Sequence, residues 1–94
     1  MEKEERKTYD FTQVEVEWEF DDFRTMDLRQ AVGNIIHRNT GDIGTDDIAR
    51  EIYHTGKAAI DEMRLREIIA IMSQPSTPLV VGAKRAVIKL LEGE

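Results

Sequence analysis

Two histidines, His37 and His54, are the side chains of this 94-residue chain whose ordinary pKa lies near neutrality, so acid–base chemistry would start with them. On a helical wheel His37 lies about 180° from Leu28, opposite the apolar stripe, and plain exposure accounts for it. His54 falls in the last turn of a helix, where a cation complements the dipole. The two stand on different helices without HExxH spacing, which leaves a metal site unsupported.

Asp42, Asp46 and Asp47 in "TGDIGTDDIARE" resemble the start of a calcium loop. Counted from Asp42, however, position three is Gly44 and position twelve is Tyr53, where the template requires oxygen ligands. Acids in the first turn of a capped helix explain the cluster more cheaply. No phosphate-cradling glycine motif and no GxSxG is present, and Ser73 and Ser76 border a proline turn without a base nearby in sequence. The expectation is a non-enzymatic protein with no cofactor, no metal and no evident small-molecule ligand.

A degenerate helix-turn-helix over residues 46–72 is the alternative with the most pattern behind it. "DIAREI" is similar to the first helix of such motifs, and Ala49 supplies their small residue. Tyr53 holds the usual turn-glycine position, and Asp61 and Glu62 open the would-be recognition helix, where phosphates would be met. Nucleic acid is therefore not the expected partner.

Charge location points the same way. Residues 1–22 carry nine acids against three bases, a net −6, whereas residues 23–94 carry ten of each. A nucleic-acid binder presents a basic face, but here the body is balanced and one end is acidic. The absence of cysteine removes disulfides and thiolate chemistry and suits a reducing, cytoplasmic setting. The opening "MEKEERKTYD" lacks an apolar leader core, and the longest uncharged run, 68–83, is broken by Gln74, Pro75 and Pro78. Neither a secretory signal nor a membrane span is expected.

The elements that must position these residues follow from periodicity. Residues 1–8 read as a flexible charged tail and 9–94 as one small domain. "TQVEVEWEFDD" alternates apolar and acidic residues, which predicts a strand over about 12–20 with Val14, Val16, Trp18 and Phe20 on its buried face. Helices are predicted over about 27–38, 46–54, 62–73 and 78–91 from apolar spacing, with caps assigned to Thr25 or Asp27, Thr45, Asp61 and Thr77. Residues 57–60 read as a connector or, at most, a short strand. The fold class is α+β, mainly α, with one N-terminal amphipathic strand.

A lone strand leaves its backbone donors and acceptors unmet, so it needs a partner. Residues 9–11, residues 57–60 or another chain are the candidates. The expected function is a protein-interaction or assembly module that pairs its acidic strand with another protein or a second copy of itself. The interface candidates are Val14, Val16, Trp18 and Phe20, the acids Glu15, Glu17 and Glu19, and the basic cluster Lys84, Arg85 and Lys89 on the last helix. An accessory protein of a prophage or another mobile element is a further reading of context.

Overall fold

The computed structural model describes residues 6–93. Its elements run β1 (Arg6–Asp10), β2 (Val14–Glu19), β3 (Asp22–Met26), α1 (Arg29–Asn39), α2 (Ile43–Thr55), β4 (Lys57–Asp61), α3 (Glu62–Ser73) and α4 (Val81–Glu92). The fold is α+β and mainly helical, with two separate two-stranded antiparallel sheets, β1–β4 and β2–β3. Residues 6–8, part of the expected charged tail, belong to β1; residues 1–5 lie outside the described residues.

The acidic strand is not solitary. It folds back on β3 through the two residues Phe20 and Asp21, a partner the sequence did not suggest. Asp21 takes a left-handed backbone, φ 64°, which aspartate tolerates better than most residues. Its N–H donates to the Glu17 carboxylate at 2.9 Å, so a side chain of the strand stabilises its own turn. The ladder slips between Glu17 and Glu19, leaving Trp18 without a cross-strand partner. That bulge breaks the period-two pattern. Val14 and Val16 enter the core, but Trp18 and Phe20, expected beside them, face solvent.

Residues 57–61 form a true strand, paired with β1 from Arg6 opposite Asp61 to Asp10 opposite Lys57. The chain then turns where Asp10 accepts hydrogen bonds from the Thr12 N–H and hydroxyl. Between the two sheets Phe11 is fully buried. Its N–H donates to the Gly56 carbonyl and its carbonyl accepts from the Leu28 N–H, which ties β4 to the entry of α1.

Helices α1 and α2 form a hairpin across a three-residue connection. A Cβ added at Gly33 would come within 2.9 Å of both the Ala49 carbonyl oxygen and Tyr53 Cβ, so glycine sets how closely the two helices approach. Helix α2 starts three residues earlier than expected because Asp42, not Thr45, is its N-cap, accepting from the Thr45 N–H and hydroxyl at 2.9 Å. The buried Thr45 hydroxyl also lies 2.7 Å from Glu67, so the two carboxylates share its single proton. At α1 the expected caps are replaced by Leu28; Asp27 still accepts the Arg29 N–H. Asp61 caps α3 as expected.

Helix α4 begins at Val81 and not at Pro78, because the Thr77 hydroxyl is drawn back to the Ile71 carbonyl. Ala83, Val87 and Leu91 are its buried stripe. It packs on β2, and a Cβ at Gly82 would lie only 2.1 Å from the Glu17 carbonyl oxygen. One apolar core runs through the molecule from Phe11, Val14 and Val16 to Ile36, Ile52, Ile68 and Leu91. Among the described residues no helix is long and apolar enough to cross a membrane.

Candidate functional site

Three regions bring chemistry-bearing side chains together. The first lies between α1 and α2, where packing of the two helices sets His37 against Asp46 and the consecutive rings of Tyr53 and His54 touch. His37 Nδ1 meets the Asp46 carboxylate, whose other oxygen faces Arg50 at 3.6 Å. Tyr53 and His54 stack edge to face with centroids 5.2 Å apart. Together with Asn34 these groups line an open depression of about 230 Å³, smaller than the roughly 300–1,000 Å³ of most small-molecule sites. Asp46 is shared by a histidine and an arginine, so its charge is already engaged within the protein. Among the described residues no three metal-ligating side chains gather in one place.

The second region joins the starts of α2 and α3. Arg64 reaches Asp61 at 3.1 Å and Asp42 at 3.2 Å, and Glu67 accepts from the hydroxyls of Thr40 and Thr45. Backbone and side-chain hydrogen bonds from Thr45, with help from Arg64, hold the Asp42 carboxyl below its usual range. Burial is the largest influence on Asp61 and pushes its carboxyl up, but the bonds and charge of Arg64 outweigh it and leave the group lowered. Every carboxylate in this cluster has a protein partner. It is a clasp between helix starts, with no open coordination position.

Helices α2 and α3 are separated by Gly56 and the five-residue strand β4, where such a motif has a turn of three or four residues. The alternative helix-turn-helix reading over 46–72 thus spans two helices with a strand between them.

The third region is the β2–β3 hairpin with the first turn of α4. Trp18 is 46% exposed, Phe23 57% and Phe20 97%. Because Gly82 lies over the Glu17 carbonyl, the exposed Val80 and Val81 sit at the same end of the molecule. The hairpin itself carries Glu15, Glu17, Glu19, Asp21 and Asp22 against the one base Arg24. Phe23 was absent from the expected interface because β3 was not anticipated; its position between Asp22 and Arg24 is the signal that could have marked it.

The remaining interface candidates divide. Val14 and Val16 are buried in the core. Lys84 donates to the Gln74 carbonyl at 2.7 Å and closes the end of α3. Arg85 and Lys89 line a groove of about 500 Å³ whose other wall holds Val14, Glu15, Glu17 and Phe23. The basic cluster thus faces its own acidic strand across a groove, with no ion pair formed between them among the described residues.

Comparison with protein-family models, with curated proteins and with solved structures gives no match to this chain.

Proposed function

We propose that this chain is a non-enzymatic protein-interaction module whose contact element is the β2–β3 hairpin. The observation that carries the reading is the outward placement of Trp18, Phe20 and Phe23 on an element with five acids and one base. Burying a phenylalanine or comparable side chain is worth roughly 1.5–3 kcal/mol, and aromatic anchors inside a polar rim are the usual energetic centre of a protein interface. The acids around them favour a partner surface that supplies arginine or lysine beside an apolar pocket. A cysteine-free chain of this kind suits a cytoplasmic setting.

A photo-crosslinking residue placed at Phe20 tests the reading in cells. Discrete adducts are expected from Phe20, and none from the same probe at the exposed Glu51 on α2. Equal labelling at the two positions, or none at either, would contradict it.

The His37–Asp46 contact favours one second reading, acid–base chemistry in the α1–α2 depression. That reading requires a substrate-sized ligand there. Failure of small-molecule libraries to shift the His37 and His54 NMR signals would remove it.

A further inference from the structure

Among the described residues, the ladder between β2 and β3 uses one edge of β3 and leaves the other unpaired. Its pairs run Val14 with Met26, Glu15 with Thr25, Val16 with Arg24, Glu17 with Phe23 and Glu19 with Asp22. Among the described residues, strand β2 is the one substantial tertiary neighbour of β3, and Phe23, Arg24 and Thr25 are exposed. A bare edge carrying an exposed aromatic is a template for a further strand.

The sequence of that edge says which strand fits. Asp22-Phe23-Arg24 is self-complementary when read antiparallel to itself. Centred on Phe23, the pairing sets Phe23 opposite the partner's Phe23, and Asp22 opposite the partner's Arg24 twice over. Centring on Asp22 or on Arg24 instead would set identical charges face to face, which destabilises a pair. We infer that two copies of this chain associate through antiparallel pairing of their β3 edges about a two-fold axis at Phe23, giving a four-stranded sheet in the order β2-β3-β3-β2. The pairing is isologous, so it closes as a dimer and does not propagate into fibres.

The charge layout supports this occupant. Glu19 and Asp22 are cross-strand neighbours, an unfavourable pair of like charges that the partner's Arg24 would offset. Within one chain Arg24 touches Asp22 only at 3.5 Å, between side chains 59% and 46% exposed, a contact worth little and easily exchanged. Self-pairing of β2, by contrast, would bring three glutamates toward three glutamates. The acidic strand is thus held inside the sheet, and the charge-balanced one is offered at its edge.

The inference rests on the hairpin being the contact element and names the partner it takes. Charge reversal tests it on the full chain by analytical ultracentrifugation over about two decades of concentration. The wild-type chain should show a monomer–dimer equilibrium. R24D and D22R should each weaken association by about tenfold or more, because each puts like charges opposite one another in both pairs. D22R/R24D should restore it, since reversed charges still match. Circular dichroism and thermal melting confirm that each variant is folded, and F23S, a substitution at an exposed position, provides a second loss of association free of charge effects. A wild-type monomer at every concentration overturns the inference, as does a double variant that stays as weak as the singles. If such a monomer still crosslinks through Phe20 to a different protein, the interaction-module reading survives and self-pairing alone fails.

Discussion

The two sheets of this molecule have strands of nearly the same length and the same antiparallel sense, yet they use their residues in opposite ways. In β1–β4, Tyr9, Ala58, Ile60 and Asp61 are buried, and Phe11 just beyond β1 is fully enclosed. In β2–β3 only Val14 and Val16 are sealed, while Trp18, Phe20 and Phe23 stand in solvent. The three phenylalanines of the chain, at 0%, 57% and 97% exposure, mark the gradient from one sheet to the other. One sheet holds the fold together. The other spends apolar surface on water, which stability alone does not explain.

That contrast is broken most strongly at Phe11. Phe11→Ala should destabilise the fold by about 3–5 kcal/mol, because it empties a fully buried site between β4 and α1. The same change at Phe20 should leave chemical denaturation within about 0.5 kcal/mol of wild type while reducing association. Comparable losses at both positions would mean that the hairpin tip is part of the core.

Next in size is the contact that holds the hairpin to the body. Gly82→Ala puts a methyl group 2.1 Å from the Glu17 carbonyl oxygen, so α4 must lift from β2 at a cost of about 2 kcal/mol. Amide exchange should then accelerate in β2 and β3 before it does in β1 and β4, which keeps the comparison between the sheets measurable.

A smaller effect separates the clasp from the hairpin by pH. The Asp42 and Asp61 carboxyls are lowered in the folded state, so their contribution is complete above the unfolded carboxylate value. It is lost as pH falls through their folded values, below about 4. Thermal melts should therefore show stability decreasing across that acid range, and Asp61→Asn should flatten the dependence. An unchanged profile in the variant would remove the clasp from the stability account.

Much of this arrangement is legible in the residues. The apolar spacing of Leu28, Val32, Ile35 and Ile36 places α1, and Gly56 at φ 82° ends α2 as its position suggests. Asp61 caps α3 as its residue type predicts. The start of α2 is less legible because Asp42 and Thr45 are both good caps, and the choice depends on Thr45 being pulled inward by Glu67. The hairpin is the least legible part. Its turn has no glycine; Asp21 occupies the left-handed region and donates its N–H to Glu17, four residues back. "DFRTM" lacks the alternation that marks a strand, since its value lies at an exposed edge and not in a buried face. The Trp18 bulge then moves one aromatic side chain out of a pattern that reads as core.

Hydrogen–deuterium exchange of the full chain at low and high concentration tests most directly whether the open edge of the hairpin is a contact surface. Expected is slower exchange confined to amides of residues 22–26 as concentration rises, with residues 6–10 and 57–61 unchanged. Exchange in 22–26 that is independent of concentration, and equally unaffected by F23S, would contradict self-association through this edge.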